Sequence, residues 1–386
     1  MNFTFTDNLE VSKTDICVYL KILAGDKFMY QNNEEDYILY CYNGKYWQND
    51  DTHLRYYLST ELYQNLKMTL MNYYLNSRNF SSMKTTIDKL QTYSFNTSIV
   101  RSYKEYGVNN EIKFDSNWKL LGFKNLVYDM EIESFREYRY NDYVSITTGY
   151  DWREPTEEEI KTMEKLIISI MPIEEERNRY LQVLTTILEG RSPEKIIFFN
   201  GKGGNGKGMI DDLLLLALGN YGLIGNNTLL FKISKSGSNP EKANIHKKRL
   251  VVFRQPAERN KLKNSIMKEL TENTFSARSH CEKDTIKELH ATIIVECNTN
   301  PFFAKDKTNM DANICRIEDI HFRNTFTRDQ TIIDENNDIY EANPEYKTKE
   351  FQEKHKYALL KILMQEHSKF YKQSNPSILY LNQYFM

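Results

Sequence analysis

Apolar residues recur at helical spacing through residues 52–76, where Leu58, Leu62, Leu66 and Leu70 share one face, and again through residues 82–106. A polar stretch at 76–80 separates the two runs, and the pattern predicts two helices. Ahead of them, a short helical stretch leads to residues 37–42 and 45–48, which flank Asn43-Gly44. That dipeptide accepts the positive φ angles of a tight turn, so a small β-hairpin carrying Trp47 is expected. From 114 to 150 short runs of Val, Ile and Tyr alternate with turn residues, which predicts strands. Thr156 followed by Glu159 is a capping-box pattern with acids in the first turn, so a helix starts at Pro155 or Thr156 and is stopped by Pro172. Another helix is expected over 173–189, ending at Gly190 as a left-handed cap.

Lys195-Ile196-Ile197-Phe198-Phe199 is an apolar run of buried-strand type, and an apolar helical run comes after it at 209–218. Between them lies Asn200-Gly201-Lys202-Gly203-Gly204-Asn205-Gly206-Lys207-Gly208. Strand, glycine-rich loop and helix in that order fit the phosphate-cradling motif G-x-x-x-x-G-K, with Gly201, Gly203, Gly204, Asn205, Gly206 and Gly208 supplying backbone approach. Lys207 is placed to reach the β and γ oxygens. Gly208 stands where a Ser or Thr hydroxyl would hold Mg²⁺. The motif admits ATPases, kinases and GTPases, and only residues further along the chain can choose among them.

Arg249-Leu250-Val251-Val252-Phe253 is a second strand about 45 residues after the loop, where a motor would place an acid for Mg²⁺ and water. Its end carries Gln255 instead, with Glu258 three residues later as the candidate substitute. A third strand over 291–297 ends at Asn298, whose amide would stand beside the γ-phosphate as a sensor. Residues 274–281 and 285–290 flank Glu282-Lys283-Asp284 and predict a basic hairpin, with Lys283 near its tip and Arg278, His280 and Lys287 on its arms. Arg316, ahead of Asp319-Ile320-His321-Phe322, is a candidate for stabilising phosphoryl-transfer charge in a neighbouring subunit. Residues 329–345 read as an exposed polar linker, and 351–370 as a closing helix with Tyr357, Leu360, Ile362 and Leu363 in its core face.

Composition narrows the class. The chain has 386 residues, enough for two or three domains, and 40% hydrophobic with 27% charged residues is ordinary soluble usage. The longest apolar runs are far too short to span a bilayer, and the N-terminus lacks a secretory pattern, so a soluble intracellular protein is expected. The five cysteines form no CxxC pair or metal-ligand spacing and read as reduced thiols. The net charge of −2 is unevenly spread: residues 232–290 hold 14 Lys/Arg against 7 Asp/Glu. A local basic window of this kind suits a polyanion.

The ordered set NGKGGNGKG, RLVVFRQPAE, KELTENTFSAR, TIIVECNTNP and DANICRIEDIHF resembles the superfamily 3 helicase module of the poxvirus-type primase-helicases of large DNA viruses. Tyr40-Cys41-Tyr42-Asn43-Gly44-Lys45-Tyr46-Trp47 and the segment from Phe114 through Asp129 to Tyr143 look like the domain preceding the motor in that family. The resemblance implies an AAA+-like α/β P-loop NTPase preceded by an α+β domain. The expected organisation is 1–150 pre-motor domain, 151–190 bridging helices, 191–328 ATPase motor, and 329–386 polar linker and C-terminal helix. It implies ATP with Mg²⁺ at subunit interfaces of a homo-hexameric ring, single-stranded DNA in the pore, other viral replication proteins as partners, no membrane, and a site of action in the host cytoplasm. By position, Lys207 contacts phosphates, Asn298 is the sensor, Arg316 the finger and Lys283 the pore residue; no primase part is expected. The family's glutamate is Gln255 here, its Thr-Gly-Gly-Asp run is Thr271-Glu272-Asn273-Thr274, and its paired arginines are Cys315-Arg316. Those departures keep open a degenerate relative that binds nucleotide and DNA without productive hydrolysis. DNA packaging and small-molecule phosphorylation are the remaining alternatives.

Overall fold

The computed structural model of the chain describes residues 11–33, 36–75, 78–231, 240–256, 262–272, 274–277, 285–298 and 315–373. Two compact units emerge: residues 1–116 with 138–145, and residues 117–137 with 146–386. The sequence-based boundary at 150 divides the chain differently, because the strands at 120–136 belong to the second unit, as do the helices at 157–185 expected to form a separate bridge.

In the first unit a three-stranded antiparallel sheet runs Phe28–Asn33, Asp36–Tyr42 and Trp47–Gln48. The expected hairpin is there, with Gly44 at φ +94° in its turn and Asn43 Oδ1 accepting from the Lys45 and Tyr46 amides. Its outer partner Phe28–Asn33 was not read from sequence, since FMYQNN carries no apolar alternation. Trp47 is fully buried among Phe114, Tyr140 and Tyr143, and Tyr40 stacks on Phe114 at 3.9 Å. The helical stretch 52–74 is interrupted by a π turn at Leu58–Leu62. There the Ser59 and Thr60 hydroxyls donate to the Arg55 and Tyr56 carbonyls, competing with the helix's own N–H donors. The second expected helix is two, Phe80–Asp88 and Tyr93–Gly107, because Thr92 takes an extended backbone between them.

The second unit is built on a five-stranded parallel sheet in the order Ile317–His321, Ile196–Asn200, Thr292–Cys297, Leu250–Arg254, Gly222–Ile224. Its strands alternate between two cores. Ile197, Phe199, Val252 and Ile294 face a cluster with the helices Glu157–Ile170, Glu174–Thr185, Lys207–Leu218 and Lys349–Gln373. Ile196, Phe198, Val251 and Ile293 face Ile266, Met267 and Leu270 of the helix Asn264–Thr271. Burial on both faces is why these strands read as continuous apolar runs, and each large side chain so buried contributes about 1.5–3 kcal/mol. This is the α/β architecture of a P-loop, AAA+-like NTPase.

Thr156 caps its helix through the Glu159 amide and Glu159 reciprocates, as expected, while Arg153 holds the Glu159 carboxylate with bonds of 2.8 and 2.9 Å. The next helix ends at Thr185 rather than at Gly190. The Thr185 and Thr186 hydroxyls donate back to the Gln182 and Val183 carbonyls and the chain tightens into i−3 turns. Gly190 instead permits close approach, since a Cβ there would lie 3.2 Å from the Trp118 Cα. Buried Arg249 ties the antiparallel strands at 120–136 to this unit, donating to the Leu188 carbonyl and, at 2.5 Å, to the Leu120 carbonyl. The stretch 329–345 is not a plain linker. Ile339–Glu341 pairs in parallel with Thr325–Thr327, Asp329 and Asp334 cap the two short turns between them, and Asn343 caps the turn that follows. The closing helix spans Lys349–Gln373 with Leu360 and Leu363 fully buried. No helix among the described residues is long and apolar enough to cross a membrane.

Candidate functional site

The glycine-rich loop leaves the C-terminal end of Ile196–Asn200 and enters the helix Lys207–Leu218 at Gly206, which has φ +88°. No side chain could stand at Gly201, where a Cβ would lie 2.4 Å from the Phe322 carbonyl oxygen. The backbone N–H groups of residues 201–206 donate no hydrogen bond to any described residue, so the loop presents a row of unused donors at a helix N-terminus. Lys207, 2% exposed, is folded into this loop. Its Nζ donates to the Gly201 carbonyl at 2.6 Å, the Asn205 Oδ1 at 3.0 Å and the Lys202 carbonyl at 3.3 Å. Burial holds its pKa below the ordinary lysine value, against the pull of Glu296, Cys297 and Asp211.

A cavity of about 1170 Å³ opens on the loop. Residues 203–208, Gln255, Glu296 and Asn298 all line it, so the structure brings together Lys207 of the glycine-rich loop, the strand-end glutamine and Asn298. Ile170 and Phe326 pack directly on the loop at Gly206, and the lining continues with the apolar and aromatic Ile168, Tyr340 and Tyr346 interspersed with the polar Asn324, Glu341, Asn343 and Lys347. Arg316 is not part of it. Its carbonyl accepts from the Ile196 amide and its guanidinium reaches Thr271 Oγ1 at 3.4 Å. That is the N-terminal end of the sheet, roughly 13 Å along the strand from the loop at about 3.3 Å per residue. Glu258, Arg278, His280 and Lys283 lie outside the described residues. The hairpin that carries the basic residues is present in its stem: Thr274–Ala277 pairs antiparallel with Thr285–Glu288, setting the Lys287 backbone opposite Phe275.

Glu296 was not singled out by sequence reasoning. It is 5% exposed on the strand between those bearing the loop and Gln255, in register with Phe199 on one side and Arg254 on the other, and its carbonyl accepts from the Gln255 amide at 3.0 Å. One signal was available: a lone acid in an otherwise apolar strand, Ile-Ile-Val-Glu-Cys, has to face something that tolerates charge. Gln255 itself sits at φ +43°, strained for a residue with a Cβ. Asp211, one turn into the helix after Lys207, is wholly buried, and neither of its carboxylate oxygens has a partner among the described residues. Burial first, then the charge of Glu296, pushes its pKa well above the carboxylate range. Asp212 on the next position pairs with Arg254 at 2.5 Å. No group of three or more His, Cys, Asp or Glu that could hold a metal occurs among the described residues.

Residues 18–172 match the family described as D5 N terminal like. Over 279 residues the chain is 30% identical to "Primase D5" of Fowlpox virus (strain NVSL), covering 67% of this chain and 34% of that protein. It is 27% identical over 250 residues to "Putative helicase L207/L206" of Acanthamoeba polyphaga mimivirus, covering 63% of this chain and 26% of the relative. It is 28% identical over 248 residues to "Uncoating factor OPG117" of Vaccinia virus (strain Western Reserve), covering 60% of this chain and 31% of the relative. The chain therefore spans about a third or less of the length of these relatives, and over that part it is homologous to the D5-type proteins of large DNA viruses.

Proposed function

We propose that this chain is the ATP-hydrolysing motor portion of a DNA helicase in viral DNA replication, working as a ring-shaped oligomer. The observation that carries the reading is the loop of unused backbone donors closed over the buried Lys207, at the mouth of a cavity that also holds Glu296 and Asn298. In this reading the Lys207 ammonium exchanges its carbonyl partners for β and γ phosphate oxygens, and the backbone N–H groups bind the same anion. The Asn298 amide orients the γ-phosphate.

Mg²⁺ takes hard oxygen donors and is commonly held by one or two carboxylates plus phosphates. Gly208 offers no hydroxyl, but the Glu296 carboxylate stands 3.7 Å from where its Cβ would be, so an oxygen donor is present where the motif needs one. Glu296 would hold the ion, which would supply neutralisation of phosphate charge. Arg316, at the opposite end of the sheet from the loop, is suited to act on a neighbour's nucleotide rather than its own. The basic window 232–290 and the hairpin within it supply phosphate contacts for single-stranded DNA, and such binding is salt-sensitive and weakly sequence-dependent.

The test is ATP turnover with and without single-stranded DNA by the wild type, Lys207→Ala and Gln255→Glu. DNA-stimulated turnover lost in Lys207→Ala supports the motor. The strained Gln255 at the strand end, with no carboxylate in its place, favours a second reading, a nucleotide- and DNA-binding relative without hydrolysis. Absent turnover that Gln255→Glu restores would establish that second reading.

A further inference from the structure

Arg254 puts a cation at the strand end, where a motor would place an acid. It closes the strand Leu250–Arg254, lines the loop cavity, and is in register with Glu296 on the neighbouring strand. Its Nη2 donates to Asp212 Oδ1 at 2.5 Å, and the half-exposed Asp212 lines the same cavity. The charged end of Arg254 is thereby set at the cavity wall. Nε is sealed and without a partner among the described residues, whereas Nη1 is not sealed and makes no hydrogen bond to a described residue. The Nη1 donors are consequently open to a ligand that brings acceptor oxygens.

Asp212 follows Gly208 by one turn of the helix Lys207–Leu218, so the two stand on one face about 5.4 Å apart along the axis. The Glu296 carboxylate is 3.7 Å from the Cβ position of Gly208. The guanidinium of Arg254 and the carboxylate of Glu296 therefore flank the start of this helix, beside the glycine-rich loop. Charges on the cavity lining balance, with Lys207, Arg254 and Lys347 against Asp212, Glu296 and Glu341. An acid in place of Arg254 would leave that set net negative, and a polyphosphate would be repelled unless a cation came with it. A guanidinium supplies that charge from the chain itself, in a planar fork that matches phosphate oxygens. We propose that Arg254 binds the terminal phosphates in cis, so that the site holds a nucleoside triphosphate without Mg²⁺ and the ion at Glu296 serves turnover alone.

This inference rests on the nucleotide-site reading and is separable from it. Calorimetric titration with ATP is run in Mg²⁺ and in EDTA on the wild type, Arg254→Met, Arg254→Lys and Asp212→Asn. The wild type should bind ATP in EDTA within about threefold of its affinity in Mg²⁺. Arg254→Met should lose about tenfold or more in EDTA, the scale of a charge-assisted hydrogen bond, and much less in Mg²⁺. Arg254→Lys keeps the charge without the fork and should retain part of the metal-free binding. Asp212→Asn breaks the ion pair but leaves the guanidinium, so its metal-free affinity should be kept or rise. Loss in Asp212→Asn as large as in Arg254→Met would overturn the proposal, since Arg254 would then act only by holding the helix. Wild-type binding that weakens tenfold or more in EDTA would overturn it too, and leave the Mg²⁺-dependent nucleotide site standing. Absence of ATP binding in both conditions would overturn both readings.

Discussion

The carboxylate oxygens of Glu296 lie 3.7 and 4.0 Å from the place a Cβ would occupy on Gly208. Two oddities of the sequence, a glycine for a hydroxyl in the loop and an acid inside an apolar strand, therefore meet in space. Replacing Glu296 by Gln should reduce Mg²⁺-dependent turnover by about 10²–10³-fold, the usual cost of one well-placed charge stabiliser, while affinity for metal-free ATP stays level or improves. Gly208→Ser fits in ordinary contact and restores part of the loss in the Glu296→Gln background. The serine variant also removes a helical glycine and should be more stable by about 0.5 kcal/mol. Turnover against Mg²⁺ concentration for the two single variants and the double variant checks the coupling; additive effects would mean the two residues act separately.

Asp211 carries its cost with pH. A carboxyl whose folded pKa is raised contributes stability below its unfolded value, near 3.8, and loses it as pH rises from there toward the folded value. At neutral pH the wild type therefore bears either a buried charge or the work of protonating it, and Asp211→Asn should melt at a higher temperature. The gain, about 1–3 kcal/mol, should shrink as the pH is lowered toward 4. Melting curves of both proteins between pH 4 and 8 test the slope. A variant less stable at pH 7 would mean that Asp211 is held by a favourable partner.

Much of the second unit was legible because its strands are buried on both faces and its loop has the right residues at fixed offsets. The strands over 196–200, 250–254 and 292–297 coincide with apolar runs that any periodicity would find. Glu296 and Asn324 were not legible as residues lining the cavity. Their place in the site comes from the order of the parallel strands and the packing of Asn324 against Ser169, and neither lies within a short stretch of chain. Helix ends were misread where hydroxyls bond backward, as at Thr185 and Thr186, since a glycine four residues later looked like the better stop. The strands at 120–136 were read correctly as strands and grouped with the first unit, because nothing local announces that Arg249 will reach the Leu120 carbonyl.

Arg249 spends its guanidinium on carbonyls of Leu188 and Leu120 and lies over the Tyr221 ring at 4.8 Å. Arg249→Met keeps much of the apolar stem but leaves two carbonyls without these donors. The expected loss is about 2–4 kcal/mol, larger than for an ordinary surface arginine. Arg249→Lys should recover little, since one ammonium cannot copy a planar fork aimed at two acceptors. Denaturant midpoints of the three proteins measure this, and hydrogen exchange should show protection falling first over 120–136. Uniform loss of protection would mean that Arg249 supports the sheet rather than those strands.

The thiols divide by burial. Cys17 and Cys41 are buried in the first unit and their pKa values are pushed up to about 12 by desolvation, and Cys297 under the phosphate-loop sheet to about 11. Cys315 is exposed. Alkylation of the native chain at pH 8 should therefore mark Cys315 and spare those three, because the thiolate is the nucleophile and burial withholds it. The same shifts fix the alkaline limit of stability. An acid whose folded pKa is raised stabilises fully below its unfolded value, here 9.0, and that contribution drains away as pH rises through the folded value. With two such thiols and the raised Tyr30 and Tyr103 hydroxyls, the first unit should lose denaturant resistance steeply between pH 9 and 12. Cys17→Ala with Cys41→Ala should flatten that fall at the expense of stability at pH 7, where the buried sulfurs contribute packing and donate to the Ile99 and Asp50 carbonyls. An unchanged slope would place the alkaline transition on other groups.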